Sequence, residues 1–459
     1  MPPLPSSVGR VLPGLLLAML LGALDQTIMA PALPAVAEDL GRLDQMPAVV
    51  ISYLAAATAV MPLYGKLGDR FGRKRTMLVA VAVFVAGATL CATATSIALL
   101  TVFRAVQGLG GGGLMVGPQA VIGEIVSPRE RGRYLGYIGA AYVVAAVGGP
   151  VLGGLIVEGL GWRWIFALYP PLGALAFVLL AVMLRLPRPT ERPPIDYAGA
   201  FTLAAAVVGV VLFGQTRHTA WPILAVVAGV AWLISTRFAA DPILPVRLFR
   251  DRGFAIPVAI SFLVGFALFG TLTYLPAYLQ VALGLSASSA GLVVTALMAG
   301  VLITTVLSGR LITRTGRYKA YPVVGAGVAA TALALLATWG AGSGPGVITA
   351  IMALIGLGVG LIMQVMVLVA QNSVAYGDLG TATSSIAFLR QIGASAGVAV
   401  AGALITTRLA EQVPAAVAFG QVMPIVFGLM SPLLALAFVL AVLLPARPLR
   451  TTAYVKETV

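Results

Sequence analysis

Gly65-Lys66-Leu67-Gly68-Asp69-Arg70-Phe71-Gly72-Arg73-Lys74-Arg75 stands between two long apolar runs. The same spacing returns at Gly309-Arg310-Leu311-Ile312-Thr313-Arg314-Thr315-Gly316-Arg317-Tyr318-Lys319. Glycine, arginine, glycine, arginine and the last base coincide, and each stretch follows the second apolar run of its half. Both read as basic loops of an internally repeated chain, which is how many secondary transporters are built. The plain alternative is that any short cytoplasmic loop becomes rich in Arg and Gly.

Outward from these stretches, apolar runs continue in both directions. A helix needs roughly 20 mostly apolar residues to cross a hydrocarbon core of about 30 Å. On that rule spans are expected near 11–33, 47–65, 76–95, 98–123, 134–158 and 163–184, then 196–215 and 221–238. Six more are expected near 254–281, 288–308, 320–339, 346–371, 382–406 and 423–444, giving fourteen. Arg10 followed by an apolar run from Val11 past Leu24 reads as a retained first span. The chain therefore divides into a six-helix bundle (1–190), an inserted helix pair (191–245) and a second six-helix bundle (246–459).

Composition agrees. Of 459 residues, 60% are hydrophobic and 10% charged, and the mean hydropathy is +1.02, so the bilayer is the natural solvent. The net charge of +14 does not point to nucleic acid, because the bases lie in short clusters between apolar runs. Lys66 to Arg75, Arg129 to Arg133, Arg185 with Arg188 and Arg192, Arg237 to Arg252, and Arg310 to Lys319 all fall on one side of a fourteen-span chain. The opposite side holds only Arg42, Arg163, Arg217 and Arg408. This bias predicts that both termini are cytoplasmic. One cysteine, Cys91, and one histidine, His218, argue against a disulfide, a Cys-based zinc site and Ser-His or Cys-His relays.

Several motifs then name a family. Gly65-x-x-x-Asp69-Arg70-x-Gly72-Arg73-Lys74 resembles the signature loop of the major facilitator superfamily. Leu24-Asp25-Gln26-Thr27-Ile28-Met29-Ala30-Pro31-Ala32-Leu33-Pro34 resembles the first-helix motif of its fourteen-helix drug/proton antiporters. Arg104-Ala105-Val106-Gln107-Gly108 is similar to the fourth-helix motif tied to proton coupling. Gly149-Pro150-Val151-Leu152-Gly153-Gly154 is similar to the fifth-helix motif associated with exporters. Trp162-Arg163-Trp164-Ile165-Phe166 and Phe388-Leu389-Arg390-Gln391-Ile392-Gly393 also look typical of that subfamily. The second-half loop departs from the pattern, with Thr313 at the acidic position. The resemblance implies an all-α membrane protein of the major facilitator fold, with two six-helix bundles and two additional helices. It implies a proton-coupled exporter of small amphiphilic compounds, working by alternating access in the cell membrane, a bacterial inner membrane by expectation; a monomer is expected because two six-helix bundles can form a complete transporter alone. A narrow-substrate transporter of a metabolite, amino acid or lipid in the same fold is the alternative.

The residues carry a physical argument of their own. Asp25 is the only carboxylate well inside a span, roughly 20 Å from the cytoplasmic end of helix 1 at about 1.5 Å per residue. Arg104 enters from the other side and reaches a similar depth. An ionisable group there costs about 2.5–3.5 kcal/mol on insertion scales, so it is a functional candidate. Asp25 is expected to take up a proton with Arg104 tuning its affinity; a static ion pair that orders packing is the alternative. Gln26, Gln107, Met363, Gln364 and Arg390 are candidate substrate contacts, with Met366 beside them as an adaptable apolar neighbour. Arg390 alternatively counter-charges the cavity or caps backbone carbonyls. Asp69 is expected to accept the positive end of a helix, helix 13 by family analogy, and Arg73 to pair with Glu124. With Gly65, Arg70 and Gly72 these form an expected gating latch; mere obedience to the positive-inside rule explains the bases but not Asp69. Gly148, Gly149, Gly153 and Gly154 are expected to allow close helix approach, and Pro150 a kink.

Other signals are discounted. Gly108-Leu109-Gly110-Gly111-Gly112-Gly113 fits a dinucleotide pattern but lies inside a span, and Gly65-Lys66 lacks the rest of a phosphate-binding loop. Neither ATP nor another cofactor is expected, and no metal; the proton is the coupling ion and the lipid bilayer the surroundings. Catalytic histidines and paired carboxylates are missing, so an enzyme is not expected.

Overall fold

No water competes for backbone N–H and C=O groups inside a bilayer, so each apolar stretch satisfies them within a helix. The computed structural model describes residues 5–41, 46–186, 194–216, 220–339 and 343–452. Arg42, Arg188, Arg192, Arg217 and His218 lie outside the described residues. The regular secondary structure of the rest is entirely helical. The first half holds α1 (Pro5–Ile28), α2 (Met46–Phe71), α3 (Arg73–Ala92), α4 (Ile97–Ile125), α5 (Pro128–Leu160) and α6 (Tyr169–Met183). Then come α7 (Tyr197–Thr216) and α8 (Ala220–Phe238). The remainder holds α9 (Arg252–Leu272), α10 (Ala287–Thr315), α11 (Ala320–Trp339), α12 (Pro345–Asn372), α13 (Leu379–Ala410) and α14 (Ala415–Leu443). Among the described residues this makes 14 long helices, and 13 segments are long and apolar enough to cross a membrane. In α7 the described apolar part, Tyr197–Phe213, is shorter.

Proline accounts for three departures from the expected spans. The first span does not run unbroken to Leu33: α1 ends at Ile28, a tight turn covers Ala30–Ala32, and Leu33–Leu40 forms a further helix. Pro31 and Pro34 remove amide donors there, so the chain restarts its helix rather than continuing it. Pro170 likewise separates Arg163–Ala167 from α6. Beyond α9, Pro276 falls in a short Leu275–Ala277 turn that leads into a π turn at Tyr278–Ala282. Pro150, by contrast, does not interrupt α5, which stays helical across 33 residues.

The two basic stretches are not loops. α2 stays helical through Lys66, Asp69 and Arg70, and α10 through Arg310 and Arg314. Charge alone does not end a helix; long basic side chains reach the interface while their backbone stays bonded. What ends each helix is a glycine, Gly72 with φ 90° and Gly316 with φ 73°, values that strain any residue with a Cβ. The repeated glycine therefore marks the same backbone event in both halves.

Contacts divide the chain into two compact units. Unit 1 is Met1–Arg247 with Val374–Phe388 and Arg450–Val459; unit 2 is Leu248–Ser373 with Leu389–Leu449. The first turns of α13 thus belong to unit 1 and its remainder to unit 2. Within unit 1, α2 packs on α4, α3 on α4 and α6, and α1 on α4, α5 and α6; α7 lies on α2 and α8 on α7. Within unit 2, α10 packs on α12, α11 on α12 and α14, and α9 on α12 and α14. Gly393 and Gly397 of α13 press against the backbone of Phe262 and Phe266 in α9. Helix by helix, the second pattern repeats the first.

Small residues make this packing possible. A Cβ at Gly108 or Gly112 of α4 would strike the carbonyls of Tyr53 or Ala57 in α2, and one at Gly110 the backbone of Phe84 in α3. The glycine run in α4 is a contact surface for two neighbouring helices, which is how spanning helices associate where lipid is as apolar as the side chains. On the other side of α5, Val144, Val151, Leu152 and Leu155 are exposed, as a lipid-facing surface requires. Unit 2 is tied at one end by Arg447, whose two terminal nitrogens donate to Asp251 at 2.8 and 2.7 Å.

Candidate functional site

Asp25 sits on α1 with no exposed surface, and Arg104 on α4 is 1% exposed. Arg104 Nη1 donates to Asp25 Oδ2 at 2.6 Å. Gln107, one turn further along the same face of α4, donates from Nε2 to Asp25 Oδ1 at 3.0 Å. Its Oε1 accepts from Arg104 Nη1 at 2.9 Å and faces the Cys91 thiol of α3 at 3.6 Å. Each oxygen of the carboxylate therefore has its own donor. The guanidinium also lies over the Tyr53 ring at 4.3 Å and near the Phe166 ring at 5.7 Å, and Arg104 Nε donates to the Val49 carbonyl at 3.4 Å. An ion pair out of water holds only when its remaining donors and acceptors are met, and here five helical segments meet them.

Gln107, a candidate substrate contact, is fully buried, and both ends of its amide are engaged by Asp25 and Arg104. Gln26, beside Asp25, is half-buried. Tyr53, Cys91 and Phe166 were not singled out as site residues by sequence, although Phe166 ends the Trp162–Phe166 motif. Tyrosine and phenylalanine inside apolar spans look like ordinary packing until the cation above them is known. Trp162 and Arg163 form a second group, donating to Asp39 Oδ2 at 3.1 and 2.5 Å, while Arg163 Nη2 holds the Ala94 carbonyl at 3.1 Å.

The other end of unit 1 carries a charged network around Asp69, in the last turn of α2. Its carboxylate accepts from the backbone N–H of Gly380 and of Thr381, both at 3.0 Å, and from Thr381 Oγ1 at 3.1 Å. These amides belong to the first turn of α13, where N–H groups have no intrahelical partner and the helix end is positive. Arg73 Nη2 donates to the same carboxylate at 2.6 Å, and Arg73 Nε lies 2.8 Å from Glu124 Oε2. Tyr376 Oη donates to Glu124 Oε1 at 2.7 Å. Gly65 and Gly380 make the approach possible, since a Cβ on Gly65 would strike Ser384 and the Gly380 carbonyl. Gly72 breaks the chain so that Arg73 turns back toward Asp69. Arg70, also expected in the network, places its guanidinium over the neighbouring Phe71 ring at 5.2 Å.

In α5, only part of the expected glycine face meets a neighbour. A Cβ on Gly149 would hit the Thr27 side chain, and one on Gly153 the Ile28 carbonyl, both on α1. Gly148 and Gly154 have no atom within 4 Å of such a Cβ. Helical geometry explains this: residues four apart share a face, whereas 149 and 154 do not. Thr27 Oγ1 also donates to the Ala145 carbonyl at 3.1 Å, so α5 is tied to α1 two residues from Asp25.

In unit 2, Gln364 is buried and its Oε1 has no hydrogen-bond partner among the described residues. Met363 is half-buried, whereas Met366 is fully enclosed and packs inside. Arg390 is half-buried, its backbone pressed by Gly265 of α9. Among the described residues no three His, Cys, Asp or Glu side chains come together as a metal site.

Comparison with known proteins fits this geometry. The family model described as Major Facilitator Superfamily matches residues 15–398. An MFS-type transporter of Mycobacterium tuberculosis is 38% identical over 92% of this chain and 63% of its own length. The chain thus spans just under two thirds of that relative. "Multidrug transporter protein MdtP" of Bacillus subtilis is 35% identical over 86% of this chain and 75% of its own. "Multidrug resistance protein 3" of the same species is 31% identical over 87% and 80%. Among solved structures, a human organic anion transporter aligns with a TM-score of 0.70 over 96% of this chain and 100% of its own, at 18% identity, a likeness of fold. With two equivalent packing patterns and a family match over residues 15–398, the chain belongs to the major facilitator superfamily.

Proposed function

We propose that this protein is a proton-coupled antiporter that exports small amphiphilic compounds, probing a broad rather than a single substrate. The observation that carries the reading is the enclosed Asp25–Arg104–Gln107 cluster. Asp25 can exchange its arginine for a proton, and the two states differ in charge inside the bilayer. A proton entering along the membrane potential gains about 2.3 kcal/mol per 100 mV, which is the driving force for export. Coupling follows if Asp25 holds a proton or permits substrate, but not both. Two relatives that are named multidrug proteins support the breadth of substrate.

Gln26, beside Asp25, is one proposed substrate contact; within unit 2, Met363, Gln364 and Arg390 are proposed contacts of their own. The Gln364 oxygen without a protein partner suits a hydrogen-bond donor on the ligand. Arg390 and the lack of a second expected membrane carboxylate disfavour strongly dicationic substrates. Asp69, Arg73, Glu124 and Tyr376 act as a latch that grips the start of α13 and releases it during alternating access. Gly149 and Gly153 let α5 slide on α1 during that step. The protein works as a monomer in the cell membrane, with both termini cytoplasmic.

The test is proton movement in inverted membrane vesicles carrying the protein. An imposed pH gradient is challenged with lipophilic monocations, neutral drugs and amphiphilic acids. Collapse of the gradient by several unrelated compounds, lost in Asp25→Asn, supports the reading. A response to one metabolite alone would make this a narrow-substrate transporter, and a full response in Asp25→Asn would remove Asp25 from the coupling step.

A further inference from the structure

The inserted pair takes no part in either charged cluster, yet the chain that leaves it does. α7 lies on α2, the helix that carries Asp69, and α8 lies on α7. After Phe238 the chain returns to α2, where Asp241 pairs with Lys66 at 2.5 Å. Lys66 is 3% exposed and sits less than one helical turn from Asp69. Ile243 and Leu244 then bury their side chains. Arg247 next reaches Asp378, donating from two nitrogens to its two oxygens at 3.0 and 2.6 Å. Asp378 stands directly before α13, two residues from the Gly380 amide that Asp69 holds. One linker is therefore fastened to both partners of the latch, to α2 through Asp241 and to the start of α13 through Arg247.

Each fastening has one partner held out of solvent, Lys66 at 3% and Asp378 at 10% exposed, while Arg247 itself is 61% exposed. Lys66 is enclosed, and an enclosed ammonium that loses its counter-charge is strongly destabilised, so Asp241 fixes the linker against α2. The Arg247 pair is bidentate, which sets direction as well as distance, and the Asp378 side chain is only 10% exposed. The five residues between the two anchors, all apolar, leave the linker little freedom to part from one anchor while keeping the other.

We propose that the segment from Asp241 to Arg247 is a strap that holds the latch closed, so that Asp241 and Arg247 are positioning residues for the gating step and the inserted pair acts on the gate. This rests on the latch reading of Asp69, and the experiment separates the two. Ser385 lies in the second turn of α13, is 1% exposed, and its hydroxyl donates to the Thr381 carbonyl of its own helix at 2.6 Å. A Ser385→Cys variant reports opening through its rate of reaction with a charged maleimide in inverted vesicles. Cys91, the single native cysteine, is fully buried, and the parent protein supplies the blank.

Asp69→Asn in this background tests the latch, and Asp241→Asn and Arg247→Gln test the strap. Both strap variants are expected to speed labelling about 5-fold or more, the range of a typical coupling between sites. Asp241→Glu, which keeps the charge, is expected to stay close to the parent, which separates loss of the ion pair from general damage. Faster labelling in Asp69→Asn with no change in Asp241→Asn and Arg247→Gln would overturn the strap and leave the latch standing. No change in any of the three would overturn both. A response equal in Asp241→Glu and Asp241→Asn would overturn the ion-pair account.

Discussion

Asp69→Asn is the sharpest probe of the proposed latch, because it keeps the shape of the side chain while removing its charge and one acceptor oxygen. Four donors converge on the carboxylate: the Gly380 and Thr381 amides, Thr381 Oγ1 and Arg73 Nη2. Hydrogen bonds to a charged group contribute about 1.5–3 kcal/mol against about 0.5–1.5 for neutral ones. Loss of a carboxylate at a helix N-terminus costs about 0.3–1 kcal/mol more. One oxygen also becomes an NH2 group, which cannot accept from the donors that face it. Because these contributions overlap, the whole comes to roughly 2–4 kcal/mol, or about 30- to 700-fold in the opening of the latch. Hydrogen–deuterium exchange at Gly380 and Thr381, in protein reconstituted into nanodiscs, reads it directly. First-turn amides have no intrahelical acceptor, so their protection depends on Asp69. Unchanged exchange at these two amides in both Asp69→Asn and Asp69→Ala would mean that Asp69 does not hold the first turn of α13.

Other perturbations follow from the same contacts. Arg104→Gln leaves Asp25 buried without its cation and is expected to cost about 3–5 kcal/mol, seen as a lower melting temperature; the double variant with Asp25→Asn should recover part of the loss. Gly153→Val drives a side chain into the Ile28 carbonyl of α1 and should cost about 1–3 kcal/mol, whereas Gly154→Ala should stay within about 0.5 kcal/mol, both checked by thermal unfolding. At Asp251, burial pushes the carboxyl up, but hydrogen bonds from Arg447 and the Gly253 amide outweigh it and hold the group below its usual 3.8. Its stabilising contribution is therefore present above that value and lost as pH falls through the lowered one. Asp251→Asn should melt below the parent at neutral pH, with the difference closing only below about pH 3.8.

Much of this architecture was legible in the residues because lipid leaves few choices. Apolar run length gave fourteen helices, and the repeat of Gly65–Arg75 at Gly309–Lys319 marked equivalent positions that the packing of the two units shares. Helix ends were less legible. Bases at 66, 70, 310 and 314 suggested loops, yet the backbone there stays helical until a glycine with positive φ stops it. Pro31, Pro170 and Pro276 interrupt their stretches while Pro150 does not, and sequence does not show which neighbours re-satisfy a freed carbonyl. Asp25, Arg104, Asp69, Arg73 and Glu124 announced themselves because charge is costly in or beside a membrane. Tyr53, Phe166 and Cys91 did not, since their role arises only from the cation they surround. Asp241, Arg247 and Asp378 looked like ordinary interfacial charges, because pairing across more than a hundred residues leaves no trace in spacing.

Asp25 is proposed to exchange a proton in response to substrate. A transported compound added to purified, detergent-solubilised protein in weak buffer with a pH-sensitive dye, without any gradient, reads that exchange. A prompt release of protons from the parent protein, saturating with compound, is expected, and none from Asp25→Asn that still binds it. Equal proton release from the parent and from Asp25→Asn would remove Asp25 from the exchange.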